Sequence, residues 1–401
     1  MLGIVLWILL FFFLVMIHEL WHFFAAKKTG VQVLEFGMGI PPKICTLRTD
    51  ASGTEYTLNA IPLGWFVRLK GEDPSDPETF YAKNSFVTAS FLSKTIILLA
   101  GVTVNFMFAR MVLTMLFWKG ISPLMIVPEN ASILEIKSYL TPTISFLVDQ
   151  KILKKDYVDN VIVASLLTWW LWDTIGLQSW DIISATQLWQ VDSLTFKKQL
   201  QQLIGKSLNL NIIRWWKSLV LTGTCPEDNC VLGVMMNDLK ADQLNIHHQF
   251  GLLKSSRVAL SELSYQAEMT LYRLWKFGMS LLSFSSKNIK SEVKNFSGPV
   301  WAVKFGDILI QHGMRSQFLA FWAMISFALA IFNLLPIPAL DGGRWLGVII
   351  QSLFFSKKVE KYFVIENYIN IFFFVLLMWL GIYIVLKDLV VAWWVHVPFM
   401  S

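Results

Sequence analysis

From Leu2 to Ala26 the chain reads LGIVLWILLFFFLVMIHELWHFFAA, a run that is apolar almost throughout. A helix rises about 1.5 Å per residue, so a helix of this length can cross the roughly 30 Å hydrocarbon core of a bilayer. Three ionisable residues interrupt the run close to its end. Such residues are costly inside a membrane segment and by default mark a functional site. The sequence therefore predicts a first transmembrane helix that carries part of an active site.

The three ionisable residues are His18, Glu19 and His22, within the pentapeptide HELWH. Histidines four residues apart lie on one face of a helix, one turn apart, so both imidazoles can bind one metal ion. Glu19 lies between them and is placed to act as a general base toward a water molecule on that metal. The alternative is a pair of buried histidines satisfied by hydrogen bonds. The membrane setting favours the metal site, because a bilayer offers these side chains few other partners.

The composition is that of a membrane protein. Of the 401 residues, 55% are hydrophobic, only 15% are charged and 18 are tryptophan. This length accommodates several spans and one soluble domain. The net charge of +6 does not indicate a nucleic-acid partner, because the chain has no basic block with interleaved aromatic residues. Membrane proteins carry Lys and Arg on cytoplasmic loops for reasons of topology.

Three further apolar stretches predict spans at roughly Thr95–Trp118, Phe318–Leu340 and Tyr368–Leu386. Basic residues follow the first span directly, at Lys27 and Lys28, and recur in the loop between the last two spans. The positive-inside rule places both of these loops in the cytoplasm and both termini outside. We therefore predict a polytopic α-helical membrane protein with about four transmembrane helices.

The segments between the spans also carry structural signals. Apolar and polar residues alternate at Val33–Gly39 and Glu55–Leu69, which predicts a β-hairpin or meander over residues 33–69 on the cytoplasmic side. A mixed α/β module is expected at about 160–237, outside the membrane. An amphipathic helix at 256–284 either lies near the membrane surface or packs on that module. The predicted domains are 1–118, 119–240, 241–317 (linker and amphipathic helix) and 318–401.

A zinc site needs a third protein ligand and an open position for water. The third span offers a candidate in NLLPIPALDGG, which runs from Asn333 to Gly343. Its two prolines break the helix, and Asp341 then emerges at the cytoplasmic end, at a depth similar to that of the two histidines. Asn333 lies deeper, where it can hydrogen-bond a substrate carbonyl or an oxyanion. The alternative is that Asp341 belongs only to a polar turn that leaves the membrane.

HELWH, NLLPIPALDGG and the order of the spans resemble the intramembrane site-two protease family of zinc metalloproteases. Within it, the chain looks most like the bacterial regulator-of-sigma-E protease subgroup. Weaker similarities occur in the expected order, at Glu35–Gly39 and Ile61–Gly64 (a membrane-associated β-loop), Ala100–Phe106 (a second-span element), Ile175–Ile183 (a turn of a PDZ domain) and Ser297–Val300. The chain departs from the family pattern at Val102, where a proline is usual, and at Trp65 and Trp180, where glycines are usual.

The resemblance implies a zinc endopeptidase of the inner (cytoplasmic) membrane that cuts membrane-embedded substrates. His18, His22 and Asp341 would hold Zn²⁺, Glu19 would act as the base, and Asn333 would orient the substrate. The α/β module would be one extracytoplasmic PDZ-like domain that admits single-span proteins already cleaved outside, such as anti-sigma factors or remnant signal peptides. The active site would face the cytoplasm, and no nucleic acid would be involved.

Two functions of other classes remain open. The first is a non-catalytic membrane scaffold or chaperone that retains the fold, but a scaffold has no use for Glu19. The second is a zinc transporter, which would need histidines or carboxylates in several spans, whereas only the first and third spans provide them.

Overall fold

The computed structural model describes residues 2–72, 80–124, 136–150, 160–166, 175–178, 181–183, 196, 200–214, 217–226, 234–239, 248–283, 298–355 and 359–394. In chain order its elements are α1 (Leu2–Thr29), β1 (Val33–Thr49), β2 (Glu55–Leu69), α2 (Phe91–Lys119), α3 (Ile144–Asp149), β3 (Asn160–Leu166), β4 (Ile182–Ile183), β5 (Ser207–Arg214), β6 (Lys217–Thr224), β7 (Val234–Leu239), α4 (Leu252–Leu282), α5 (Pro299–Gln311), α6 (Arg315–Leu334), α7 (Asp341–Phe354) and α8 (Val359–Trp394). Contacts divide the chain into two compact units. The first comprises Met1–Val112 with Arg273–His396, and the second comprises Leu113–Tyr272 with Val397–Ser401.

Four of the described helices are long and apolar enough to cross a membrane. They cover Ile8–Thr29, Phe91–Lys119, Arg315–Leu334 and Val359–Leu389. These four helices agree with the predicted spans among the described residues, and each helix overlaps the stretch expected from the sequence. Which end of each helix faces the cytoplasm stays a prediction.

The third of these helices is shorter than predicted. The apolar run suggested a span to Leu340, but α6 ends at Leu334 and Leu335 is extended, with ψ 143°. Pro336 explains the early end, because a residue before proline is pushed away from helical geometry and proline itself has no N–H to donate. The chain then crosses a short irregular loop and starts a new helix, α7, at Asp341.

The predicted β-structure of the first unit forms as one antiparallel pair, β1 with β2. Both strands bend, so that Phe36 in the first half of β1 pairs with Tyr56 on one side and Val67 on the other. Among the described residues, the second half of β1, from Lys43 to Thr49, pairs only with the start of β2, and it is exposed along its length. The sheet packs against α1, as shown by the ring contact of Phe12 with Trp65 at 5.3 Å. It therefore lies against the helix that carries both histidines.

The first unit also contains a helix that the sequence did not predict. α5 follows Gly298, has a proline in its first turn and packs on α1. Its Trp301 and Phe305 rings stack at 5.0 Å, and both rings contact Phe321 of α6. The sequence suggested a linker here, because a 13-residue helix without a polar N-cap gives little local signal.

The second unit contains a five-stranded antiparallel sheet in the order β6-β5-β4-β3-β7. The strands β3 to β6 lie within residues 160–237, where the mixed α/β module is expected. Its core is apolar and includes Leu177, Ile183, Phe196, Leu200, Leu208, Leu210 and Ile212. Asp181 is buried and accepts bonds from Nε and Nη2 of Arg214 at 2.8 and 2.7 Å. Residues 179 and 180 lie outside the described part, so the turn with Trp180 stays a prediction, as does the assignment as a PDZ domain.

The expected amphipathic helix forms as α4, and it begins four residues before the predicted start. In the second unit its inward face buries Val258, Ala259 and Leu263. Glu262 on the same face accepts hydrogen bonds from the Ser138 hydroxyl and the Tyr139 amide, both at 2.7 Å. The helix thus packs on residues 138–139, and whether it also lies near the membrane surface or packs on the α/β module stays a prediction.

Candidate metal centre

His18 and His22 lie one turn apart on α1 and point the same way. Their Nε2 atoms are 3.2 Å apart, and their ring centroids are 4.8 Å apart. Both side chains are buried, although α1 exposes much of its remaining surface. The i, i+4 spacing predicted this alignment.

Asp341 is the first residue of α7, and its carboxylate meets both imidazoles. Its Oδ2 atom lies 3.0 Å from Nε2 of His18 and 3.3 Å from Nε2 of His22. Ligands about 2.0–2.2 Å from a tetrahedral metal lie roughly 3.3–3.6 Å from one another. The three atoms are therefore spaced almost as a metal would require. No other group of three such residues occurs within the ranges that the structure describes.

The hydrogen bond at the far side of His22 is compatible with a metal ligand. Nδ1 of His22 donates to the carbonyl oxygen of Ile97 at 2.7 Å. A carbonyl can only accept, so Nδ1 carries a hydrogen, and Nε2 is the ring nitrogen that is available to a metal. Two imidazole nitrogens and a carboxylate oxygen form the donor set of a zinc site that keeps a position open.

Asp341 is the carboxylate of this cluster. Its Oδ2 atom faces the Nε2 atoms of both histidines, so the site offers one carboxylate ligand beside two imidazoles.

Contacts with other parts of the chain hold the loop before Asp341 and the first turns of α7. Ala339 adopts a positive φ of 75°, which is unusual for a residue with a side chain, and its amide donates to Oδ1 of Asn370 at 2.9 Å. Arg344 forms an ion pair with Glu72, and the indole N–H of Trp345 donates to the Thr95 hydroxyl at 3.2 Å. Gly342 and Gly343 pack so closely on the carbonyls of the preceding loop that a Cβ at either position would collide with them.

A cavity lined by both polar and apolar residues adjoins this loop. Its volume is about 320 Å³, and its polar lining residues include Glu72, Arg344, Glu366, Asn367 and Asn370. A water molecule in bulk occupies about 30 Å³, so the cavity can hold several. Water in this cavity would lie beside Ala339, two residues before Asp341.

The remaining two predicted site residues do not ligate. Glu19 makes no hydrogen bond or ion pair within the described residues, so its carboxylate is available to a water molecule beside the histidines. Asn333 lies in the last turn of α6, half-buried, and its amide likewise has no hydrogen bond in the described part of the chain. Their catalytic roles stay predictions.

Sequence reasoning missed the contribution of α2. A Cβ at Gly101 would lie 2.5 Å from Nε2 of both His18 and His22, so only glycine lets α2 approach this closely. Asn105, one turn later, contacts His18 through its amide. The four-residue spacing of Gly101 and Asn105 was the available signal, but one sequence does not tell which helix face meets the histidines.

We expect Gly101→Ala to weaken Zn²⁺ binding about 10-fold or more, because the added methyl group must displace a ligand imidazole. A chelator competition measures the dissociation constant. Gly381→Ala is the matched control, since a Cβ there meets nothing within 4 Å. Wild-type affinity in the Gly101 variant would contradict the placement of α2.

The chain is similar to known proteins over most of its length. The model of peptidase family M50 matches residues 6–378. The chain is 27% identical to a protein of Nostoc sp. named as a candidate zinc metalloprotease, over 94% of this chain and 92% of the relative. It is 25% identical to the regulator of sigma E protease of Haemophilus influenzae, over 85% and 88% of the two chains. Protease RseP of Yersinia pestis is 27% identical, over 92% and 95%.

Proposed function

Because this chain belongs to peptidase family M50, we propose that it is a zinc-dependent endopeptidase that cleaves peptide bonds of membrane-embedded substrates. The observation that carries this proposal is the meeting of His18, His22 and Asp341 in helices of a membrane-spanning unit. The donor set fits the zinc named in several relatives. The intramembrane position follows from the apolar surroundings of His18 and His22 along α1.

Each site residue has a role in this proposal. His18, His22 and Asp341 would hold Zn²⁺, which when bound supplies a Lewis acid for the substrate carbonyl and the attacking water. Glu19 takes a proton from the water as its oxygen bonds to the carbonyl carbon, and later gives a proton to the leaving amine. The Asn333 amide donates a hydrogen bond to the substrate backbone and helps to fix the scissile carbonyl.

The exposed half of β1 is the proposed substrate platform. A transmembrane helix hides its amides in internal hydrogen bonds, so it must unwind locally before a peptidase can reach them. Lys43–Thr49 pairs on one side only and can add an extended substrate segment as a further strand. An exposed strand edge is normally a liability, and binding of a substrate strand would give this edge a use.

The proposed setting is the inner membrane, with both termini outside and the zinc site toward the cytoplasm. The substrates are single-span proteins already shortened outside, such as anti-sigma factors or remnant signal peptides. The similarity to a protein named as a regulator of sigma E protease supports this class. The module of the second unit would act as a PDZ-like filter.

Zinc content and cleavage, measured together on the detergent-purified full chain, test the main proposal. We expect about one zinc per chain, cleavage of a model single-span substrate, loss of cleavage with a chelator and recovery with added Zn²⁺. If the protein binds zinc but does not cleave the substrate, the scaffold function is favoured. If it shows neither zinc binding nor cleavage, the proposed metal site is wrong.

Deletion of residues 160–237 tests the filter. Since the sheet of the second unit has its own core, we expect the variant to cleave trimmed substrates at the wild-type rate and to gain cleavage of untrimmed ones. Equal loss of both activities in a folded, zinc-loaded variant would show that the module does not select substrates.

A further inference from the structure

Asn105 is a buried polar residue that the proposed reaction does not use. It lies on α2 with 1% of its surface exposed, and its Nδ2 atom is 3.2 Å from Nδ1 of His18. Its Oδ1 atom is also buried and has no hydrogen-bond partner in the described part of the chain. No second hydrogen bond of the side chain therefore holds the amide in the orientation with Nδ2 toward the ring.

The register of two helices places this amide against the histidine. Ile97, Gly101 and Asn105 follow one another at four-residue spacing and so share one face of α2. The first contacts His22 through its carbonyl, the second gives the rings room, and the third contacts His18. The backbone carbonyl of Asn105 also accepts a bond from the buried Ser326 hydroxyl of α6 at 3.1 Å. The side chain is thus held beside the ring by its helix.

The hydrogen position on His18 decides which amide atom faces the ring. Nε2 of His18 points at Asp341 and at His22, so a metal in the cluster needs the lone pair of that nitrogen. Nδ1 must then carry the hydrogen and needs an acceptor. For His22 the acceptor is the carbonyl of Ile97, whereas for His18 the group in contact with Nδ1 is the amide of Asn105. A half-turn of this amide exchanges its oxygen and nitrogen without moving any other atom.

We infer that Oδ1 of Asn105 accepts a hydrogen bond from Nδ1 of His18 and so fixes the ring in the tautomer that leaves Nε2 free for the metal. Asn105 is a positioning residue, and this inference rests on the proposed function in which His18 binds zinc. Partners of this kind orient a ligand histidine and increase its basicity, and their loss typically costs 10- to 100-fold in metal affinity.

Three variants of the detergent-purified full chain test the inference through the Zn²⁺ dissociation constant, measured by chelator competition. Asn105→Leu keeps the size but has no acceptor, and we expect about 10- to 100-fold weaker binding. Asn105→Asp keeps an acceptor oxygen and loses the NH₂ group, and we expect it to restore most of the affinity. Thr103→Val is the control, because this exposed hydroxyl bonds only to Leu99 of its own helix.

Two outcomes would contradict this inference and leave the proposed function intact. In one, Asn105→Leu binds zinc as the wild type does. In the other, Asn105→Asp is as weak as Asn105→Leu although both fold, because the amide N–H would then be the required group. A wild type that binds no zinc overturns the proposed function, and this inference with it.

A spectroscopic measurement decides the matter even if the leucine variant does not fold. In the Co²⁺-substituted wild type, each ligand histidine with hydrogen on Nδ1 gives a shifted, exchangeable proton resonance. We expect two such resonances, and two again in Asn105→Asp. A single resonance in the wild type, assigned to His22, would mean that Nδ1 of His18 lacks its hydrogen, which overturns the inference.

Discussion

Replacement of Glu19 by glutamine is expected to abolish peptide cleavage while zinc binding stays at the wild-type level. Glu19 lies next to His18, but its carboxylate is not one of the three converging ligand atoms. Glutamine keeps the size of the side chain and cannot take a proton from water. Loss of a general base typically costs about 10²- to 10⁴-fold in rate. The measurement is the cleavage rate of a single-span model substrate, together with zinc content on the same preparation.

The control for this variant is Glu360→Gln, which makes the same chemical change at an exposed position in the first turn of α8. We expect it to cleave normally. Cleavage by Glu19→Gln at a near-normal rate would remove Glu19 from the mechanism, and loss of zinc from it would mean that Glu19 supports the ligands instead.

The ligand-bearing helix was predictable because its information is local. An apolar run long enough to span a bilayer and two histidines at i, i+4 need no knowledge of distant parts of the chain. Asp341 was also within reach, since the prolines before it signal a broken helix and its carboxylate emerges beside a polar turn. Direct contact of all three side chains still depended on how α1 and α7 pack, which a single sequence does not encode in any short pattern.

The groups behind the histidines were not predictable in the same way. The acceptor for His22 is the backbone carbonyl of Ile97. Because every residue has a backbone carbonyl, the sequence does not indicate which one accepts this bond. Gly101 matters because it has no Cβ, and the need for this becomes clear only from the packing of α2 against the imidazole rings. Likewise, the side-chain oxygen of Asn370 accepts a hydrogen bond from the amide of Ala339, and no local sequence pattern indicates that these two residues meet.

Replacement of Asp341 by alanine is expected to remove zinc from the protein. The variant leaves two imidazoles, and the structure brings no other His, Cys, Asp or Glu of the described residues into the cluster. The loss of a direct ligand should exceed the roughly 10- to 100-fold effect of losing an outer partner. Zinc affinity by chelator competition is the measurement, and cleavage should fall with metal occupancy.

Asp341 also begins α7, where an acidic residue favours the helix dipole, so lost affinity must be separated from a lost helix start. Asp341→Asn serves this purpose, because asparagine keeps the size and is a far weaker metal ligand than a carboxylate. We expect both variants to lose zinc, and both to retain the wild-type unfolding temperature of the metal-free protein within a few degrees.

Asp149→Ala, at an exposed position in the second unit, is the matched control and should bind zinc normally. Wild-type zinc affinity in Asp341→Ala would place the third ligand elsewhere. Zinc retained by Asp341→Asn alone would instead show that the size of the side chain matters and its charge does not.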